Sequence, residues 1–218
     1  ITVEQFVVLT ASAAASATSL TISPALYTIS NGASALYYGN IYLIGNNATV
    51  MYRYNIGAGA WATTSANSGT PAIPAITGAC GAGCALKWLP AYAPDKLFII
   101  RGTATASIYT YDLVANTMAT LTVSPATETF TTGSSVSVRT VNGKAKRFLI
   151  NKESTGRIYE FNPVKGRIDP KITQWLSSAG TAVVGDKSCC MTSPDGVEYF
   201  FMIPNSTNSL VRCGLLDG

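Results

Sequence analysis

The sequence contains no histidine among its 218 residues. This absence excludes catalysis by a serine or cysteine nucleophile that histidine activates, and it excludes zinc and copper sites with histidine ligands. No phosphate-binding loop, dinucleotide-binding fingerprint or EF-hand calcium loop occurs in the sequence either. The composition does not exclude catalysis by a pair of carboxylates, as in glycosidases. Most of the 11 acidic residues, however, stand at predicted turns, where turn geometry explains them. We therefore expect no enzymatic activity, no metal and no cofactor.

Charged residues are also scarce. They make up 12% of the chain, which is about half of the usual share, and residues 5–52 carry no charge at all. Serine, threonine, asparagine and glycine interrupt this region, so it contains no apolar run of about 18 residues that would span a membrane. The composition indicates a β-rich protein whose surface is largely covered by other protein, or an extracellular protein. We expect no membrane insertion.

The net charge of +4 is distributed unevenly. Nine of the 15 lysine and arginine residues lie between Arg139 and Lys171, together with only three acidic residues. We interpret this basic band as a solvated face of mixed charge, with contact to an acidic partner as the alternative. Nucleic acid is not an expected partner, because no base-stacking aromatic motif accompanies the band.

The five cysteines are Cys80, Cys84, Cys189, Cys190 and Cys213. An odd number argues against a fully paired disulfide framework. A zinc site with four thiolates would need the adjacent pair Cys189 and Cys190, which is poor spacing for ligands. We therefore expect free, buried thiols.

Four segments of the chain are similar to one another, and their first residues are 56, 50 and 52 positions apart. Each has an apolar stretch with an aromatic residue, a short polar turn and an alternating stretch. The segments are "NIYLIGNNATVMYRYN" from Asn40, "KLFIIRGTATASIYTYD" from Lys96, "KRFLINKESTGRIYEFN" from Lys146 and "EYFFMIPNSTNSLVRCG" from Glu198. The pattern predicts one β-hairpin in each segment.

Each hairpin needs further strands, because a lone hairpin cannot bury its faces in water. Strand-like stretches precede three of the hairpins and follow three of them. Those that precede are "CALKWLP", "SVSVRTV" and "SCCMTSP", and those that follow are "GAWATTS", "NTMATLTVS" and "KITQWLSS", the last from Lys171. Four antiparallel strands in a unit of about 50 residues are typical of a β-propeller blade.

The order of apolar strand, turn and tyrosine-bearing strand over residues 40–217 resembles kelch-type repeats, although other residues replace the Gly-Gly pair that kelch units normally carry. Together with the strand count, this resemblance implies an all-β fold: a small β-propeller of about four kelch-like blades with an N-terminal extension. A β-sandwich is the alternative.

In three of the hairpins the second strand places two aromatic residues on one face, and we expect these residues to form an inter-blade core. They are Tyr52, Tyr54, Tyr109, Tyr111, Tyr159 and Phe161. Glu160 alternates with the last two rings, so we expect it on a solvated outer face.

The two ends of the chain are predicted to share one blade. Only four residues follow the fourth hairpin, too few for an outer strand. "TSLTIS" from Thr18 is similar to "ATLTVS" from Ala119, which occupies the predicted outer strand of the second unit. Residues 19–23 would then complete the fourth blade and leave no free sheet edge. The predicted division is an N-terminal arm at 1–17 and a propeller-like domain at 18–218.

The N-terminal segment carries a second resemblance. A strand-like "EQFVVLTA", a small polar "SAAASA" and a strand-like "LTISPA" follow one another. Over residues 5–27 this order resembles a β element in the coat proteins of tailed bacteriophages. The resemblance implies a structural protein of the virion, either a head decoration or cement protein or a head–tail or tail component, which assembles in the host cytoplasm. Its partners would be coat, portal or tail subunits and further copies of itself.

Assembly would proceed through the uncharged arm, which would add a strand to a neighbouring subunit. The residues of this assembly arm are Val3, Phe6, Val7, Val8, Leu9, Leu20 and Ile22. Two other functions stay open at this point. One is a secreted carbohydrate-binding β-propeller, in which Trp61, Trp88 and Trp175 would converge in a groove. The other is a receptor-binding or receptor-degrading tail protein that uses carboxylates alone.

Overall fold

The computed structural model describes residues 32–45, 48–64, 71–81, 83–103, 105–125, 129–130, 134–141, 144–152, 157–172, 187–194, 196–203 and 210–215. These residues form 15 β-strands in four antiparallel sheets, which are arranged as a four-bladed β-propeller. The predicted all-β propeller is therefore confirmed, rather than the alternative β-sandwich. The described ranges contain no helix of the length and apolarity that a membrane span requires.

Each blade is a meander in which consecutive strands pair side by side. Blade 1 comprises β1 (Ala33–Tyr37), β2 (Asn40–Ile44), β3 (Met51–Asn55) and β4 (Ala60–Ala62). Blade 2 comprises β5 (Ala85–Leu89), β6 (Ala93–Ile100), β7 (Ile108–Asp112) and β8 (Thr117–Leu121). Blade 3 comprises β9 (Ser135–Val141), β10 (Lys144–Lys152), β11 (Arg157–Asn162) and β12 (Arg167–Ile172). The described part of blade 4 comprises β13 (Lys187–Thr192), β14 (Glu198–Ile203) and β15 (Val211–Leu215).

All four predicted hairpins are present, as β2–β3, β6–β7, β10–β11 and β14–β15. The Asn or Asp that ends the third strand of blades 1 to 3 shapes the next turn. Oδ1 of Asn55, Asp112 and Asn162 accepts hydrogen bonds of 2.8–3.3 Å from backbone N–H groups two or three residues later. This Asx turn satisfies backbone donors and directs the chain into the outer strand.

Two strands differ from the sequence expectation. The innermost strand of blade 1, β1, was not predicted, because its small residues give little apolar signal. The outer strand of blade 3 was predicted from Lys171, but β12 runs from Arg167 to Ile172. Asp169 and Pro170 are both unfavourable in strands, but the outer strand has one unpaired edge, where a proline costs no ladder hydrogen bond.

Blades 2 and 3 each lie between two other blades, so their sheets are buried on both faces. On β6, Leu97 and Ile99 belong to the cluster between blades 1 and 2, whereas Phe98 and Ile100 belong to the cluster between blades 2 and 3. Because side chains alternate between the faces of a strand, a strand covered on both sides must be apolar at every position. This explains the uninterrupted apolar run of β6.

Three apolar clusters therefore fill the spaces between successive blades. The cluster between blades 2 and 3 includes Phe98, Phe148 and Phe161, with 5.2 Å between the ring centroids of Phe98 and Phe148. Blades 3 and 4 meet through a smaller cluster that includes Leu149 and Phe200. Association of the blades buries these side chains, which supplies the main driving force for the fold.

The connection between blades 1 and 2 contributes to the core. Ile73, Ile76 and Cys80 are buried in the cluster between these blades, and their backbone N–H groups donate to carbonyl oxygens of residues 48–63 at 2.6–2.9 Å. From blade 2, Asn116 Nδ2 donates to the carbonyl oxygen of Ala72 at 2.9 Å. The connection therefore acts as a wedge whose polar backbone is satisfied by both blades.

We expect Phe148→Ala to lower the free energy of unfolding by about 3–5 kcal/mol, because the side chain is fully buried and its loss leaves a cavity between blades 2 and 3. Urea denaturation followed by circular dichroism measures the change. The control is Val164→Ala, on an exposed turn of blade 3, for which we expect a change within about 0.5 kcal/mol. Equal effects of the two substitutions would contradict the assignment of this cluster as the core.

Candidate functional site

A buried ion cluster joins blades 3 and 4. Arg139 lies on β9, and only 2% of its side chain is exposed. Its Nε donates to Oε2 of Glu198 on β14 at 2.8 Å, and its Nη1 contacts the carboxylate of Glu160 on β11. Burial by itself lowers the pKa of the Arg139 guanidinium, but the hydrogen bonds and charges of the two carboxylates outweigh burial and raise the pKa above its ordinary value. The cation is therefore retained inside the protein.

This cluster corrects two expectations. The basic band was expected to be solvated, yet Arg139 is buried within it. Glu160 was expected on a solvated outer face, yet it is half-buried and contacts Arg139, while its Oε1 lies 3.6 Å from Nε of Arg147. The physical reason is that blade 3 has no outer face, because blade 2 covers one side and blade 4 covers the other. Glu198 and Arg139 are 59 positions apart, so no local pattern could reveal their pairing.

The cysteines are free thiols. All five lie in the described ranges, but the expected burial holds fully only for Cys80: Cys189 is exposed, and Cys84, Cys190 and Cys213 are half-buried. Burial raises the pKa of Cys80 and of Cys190 to about 12, and that of Cys84 to about 11. These three thiols are therefore protonated at neutral pH and poor nucleophiles. Within the described part of the chain, no group of three or more Cys, Asp or Glu side chains is placed to hold a metal ion.

The "CGAGC" motif is explained by backbone packing. A Cβ at Gly81 would lie 2.7 Å from the carbonyl oxygen of Gly102. A Cβ at Gly102, whose φ is +67°, would lie 2.3 Å from the carbonyl carbon of Gly83. Backbones that approach this closely require glycine. The glycines of the motif therefore allow the segment before β5 to pack closely against the segment that follows β6.

Four of the six aromatic residues of the predicted inter-blade core lie in clusters that two blades share. Tyr109 and Tyr111 lie between blades 1 and 2. Tyr159 and Phe161 lie between blades 2 and 3. In both cases the third strand of a blade directs its rings toward the preceding blade.

The other two aromatic residues lie on the face of blade 1 that points away from blade 2. There Tyr52 is buried, and Tyr54 is half-buried with its ring centroid 4.8 Å from that of Trp61. Trp61 itself is buried, whereas Trp88 is half-buried at the end of β5. These two tryptophans therefore do not share a groove, and Trp175 lies outside the described residues.

Several predicted features fall outside the described residues. The proposed closing strand at 19–23 is one of them, and the boundary between arm and propeller at residues 17 and 18 is another. The same holds for every residue of the assembly arm: Val3, Phe6, Val7, Val8, Leu9, Leu20 and Ile22.

Blades 1 and 4 each have one apolar face that no described blade covers. On β1, Ala35 and Tyr37 pack toward blade 2, so Leu36 points to the other side and is 65% exposed. On β13, Cys190 packs toward blade 3, and its neighbour Met191 is 60% exposed. We call these surfaces the open faces of blades 1 and 4.

The open faces continue onto the neighbouring strands. Ile41 and Leu43 of β2 alternate with the residues that pack toward blade 2, and both are half-buried. Tyr199 and Phe201 of β14 alternate with those that pack toward blade 3, and both are half-buried as well. Each face is therefore apolar over at least two strands, but it is only partly exposed on blade 1, where Tyr52 and Trp61 are buried, and on blade 4 the Arg212 guanidinium lies 5.0 Å from the Tyr199 ring centroid.

A pocket of about 550 Å³ opens at the turn-bearing end of blade 2, and we call it the blade 2 pocket. Between β5 and β6, Leu89 pairs with Ala93, whereas the adjacent Trp88 pairs with Leu97. Residues 94–96 therefore form a bulge without partners on β5, and of the three Lys96 pairs with Asp112 of β7. Such bulges re-aim side chains and are frequent next to binding sites. In the sequence, only the strand-breaking pair Pro94-Asp95 marks this position.

Hydrogen bonds within blade 2, and one to the backbone of blade 3, fix the walls of this pocket. Trp88 Nε1 donates to the carbonyl oxygen of Pro94 at 2.8 Å, and the Tyr92 hydroxyl donates to the carbonyl oxygen of Pro163 at 3.3 Å. The backbone N–H of Leu113 donates to the carbonyl oxygen of residue 95 at 2.8 Å. The bulge is therefore held in place by hydrogen bonds from several directions.

We expect Arg139→Met to lower the free energy of unfolding by about 3–5 kcal/mol, because two partly or fully buried carboxylates lose their cation. Urea denaturation measures the change. The control is Arg167→Met. The ion pair between Arg167 and Asp169, at 2.6 Å, is exposed, so its loss should lower the free energy of unfolding by less than about 1 kcal/mol. A smaller loss for Arg139→Met than for this control would contradict the structural role of the cluster.

Iodoacetamide should alkylate Cys189 well before Cys80 and Cys190 in the folded protein, because Cys189 is exposed and the other two thiols have a pKa of about 12. Peptide mass spectrometry after increasing reaction times gives the order. Cys189→Ser should remove the rapid phase, and urea should make all five cysteines reactive. Rapid native labelling of Cys80 would show that the cluster between blades 1 and 2 is open to solvent.

Comparison with known proteins identifies a fold but no family. No family model matches the chain, and no curated protein matches it. The structure of YjhT is similar with a TM-score of 0.54 and 12% identity, over 91% of this chain and 68% of that one. An auxiliary nutrient binding protein from Bacteroides thetaiotaomicron is similar with a TM-score of 0.50 and 12% identity, over 82% of this chain. The chain spans only 37% of that protein's length, and at this identity the similarity shows the fold alone.

Proposed function

We propose that this protein is a non-enzymatic structural component of a tailed-phage virion, which acts by protein–protein assembly with copies of itself and with coat, portal or tail subunits. The observation that carries the proposal is the pair of open apolar faces on blades 1 and 4. Leu36 and Met191 stay 65% and 60% exposed there, although the equivalent faces of blades 2 and 3 are buried. Exposed apolar side chains that adjoin half-buried apolar neighbours, such as Ile41 and Tyr199, favour a contact with another protein surface.

The occupant that we propose for these faces is the N-terminal arm of a neighbouring copy. Apart from Glu4, the arm at 1–17 carries no charged side chain, so residues 5–17 match the apolar character of the open faces without burying an unpaired charge. Strand addition also suits the edge of blade 4. In the described residues, β15 has one hydrogen-bonded neighbour, whereas the third strands of the other three blades each have two. An unpaired strand edge is a template for a strand from another chain.

The phage origin rests on the similarity of residues 5–27 to a coat-protein β element. The kelch-like character of the blades is part of the same proposal. It is supported by the spacing of 50–56 residues between units and by the aromatic pairs of their third strands. Location in the virion follows from the proposed role.

We expect the purified full-length chain to self-associate, and Leu36→Ser or Met191→Ser to weaken that association about tenfold or more. Burial of one such side chain stabilises a contact by about 1.5–3 kcal/mol. Size-exclusion chromatography with light scattering over a concentration series measures the change. Phe6→Ser, in the arm, should weaken the association as well.

The matched control is Val164→Ser, since Val164 is 62% exposed but lies on a turn of blade 3. It should leave the association unchanged. A wild-type chain that stays monomeric, or a control that weakens association as much as Leu36→Ser, would argue against the proposed surface. A normal oligomer for Phe6→Ser would argue against the arm as its occupant.

A further inference from the structure

We propose that the blade 2 pocket binds a neutral saccharide ring, because its bulge places an open aromatic ring beside charged hydrogen-bonding groups of both signs. The inference does not rest on the proposed assembly function. The residues that line the pocket belong to blade 2, whereas the open faces belong to blades 1 and 4.

The pocket provides a flat aromatic platform. Tyr92 is 39% exposed, and its ring centroid lies 6.2 Å from that of the buried Phe98. Because its hydroxyl is held by Pro163, the ring keeps a defined orientation. Together with Leu121, Phe98 also lines the pocket. The C–H face of a sugar ring is apolar enough to stack on such a platform, which buries carbon surface of both partners.

The polar groups of the pocket include acceptors and donors. Asp95 accepts a hydrogen bond of 3.3 Å from the Tyr37 hydroxyl. Asp112 uses Oδ1 for the following turn, and its Oδ2 lies 3.8 Å from the ammonium of Lys96. The Thr110 side chain also lines the pocket. Sugar hydroxyls donate and accept at once, so they can engage the carboxylates and the ammonium together.

The charges and the size of the pocket select among ligand classes. Two carboxylates and one ammonium leave the pocket with a net charge of about −1, which disfavours phosphorylated and acidic ligands. The volume of about 550 Å³ falls in the range of about 300–1,000 Å³ that is typical of small-molecule sites. A neutral sugar fits both conditions. The other class that fits the charge is an organic cation, which would stack on Tyr92 without using Lys96.

Saturation-transfer difference NMR on the full-length protein tests the inference. The probes are the methyl glycosides of glucose, galactose, mannose and N-acetylglucosamine, with methylguanidinium as the cationic alternative. We expect at least one glycoside to bind saturably. Tyr92→Ala should weaken that binding about tenfold or more, which corresponds to the loss of one stacking contact. Lys96→Met should weaken it as well, because the ammonium is the main charged donor in the pocket.

The matched control is Tyr38→Ala, since Tyr38 is also an exposed tyrosine on a turn, at 78% exposure, but lies outside the pocket. It should bind the glycoside like the wild-type protein. Failure of all four glycosides to bind, equal weakening by both tyrosine substitutions, or binding of methylguanidinium alone would overturn the proposal. Leu36→Ser should leave glycoside binding intact and Tyr92→Ala should leave the oligomer intact, so failure of this inference and failure of the assembly proposal are distinguishable.

Discussion

The structure depends on one constraint, which is that an apolar face of a short antiparallel sheet must be covered by another element. Blades 2 and 3 satisfy it because each lies between two neighbours, and alternate residues of β6 serve the two sides. Blades 1 and 4 satisfy it on one side within the described residues. The surfaces that remain, around Leu36 and Met191, are where we place the assembly contact.

The same constraint determines how polar groups are treated. A side chain in the middle of blade 2 or blade 3 faces a neighbouring blade rather than water, so a charge there requires a partner of opposite charge. Arg139 has such partners in Glu160 and Glu198. Between blades 1 and 2, the connection inserts polar backbone groups into the interface. These groups form hydrogen bonds with both blades, including the hydrogen bond from Asn116. The interfaces between blades therefore differ in chemistry although the blades share a plan.

The pocket to which we assign a ligand lies at a departure from that plan. Blade 2 carries the three-residue bulge at 94–96, while the ladders of β1–β2 and β13–β14 are uninterrupted. Blade 3 has register irregularities of its own, between Ala145 and Arg147 and between Ile158 and Tyr159, to which we assign no function. Regular repeats satisfy local preferences and packing together, and proteins break that agreement mainly where another molecule must be accommodated. The saccharide proposal therefore concerns a position at which the repeat is interrupted.

The sequence by itself determined the number of hairpins and the propeller, because alternation, polar turns and the Asn or Asp before the outer strands act within a few residues. It placed the hairpins to within a few residues, since β6 begins at Ala93 and β10 at Lys144 rather than at Lys96 and Lys146. It did not reveal β1, whose residues are small, or the start of β12, where Asp169 and Pro170 hide a strand that only an outer edge tolerates. Tertiary structure alone decided that Arg139 is buried against Glu198 and that the bulge opens a pocket under Tyr92. These contacts join residues on different strands or blades. A pattern within a few neighbouring residues carries no information about which distant surface will cover those residues.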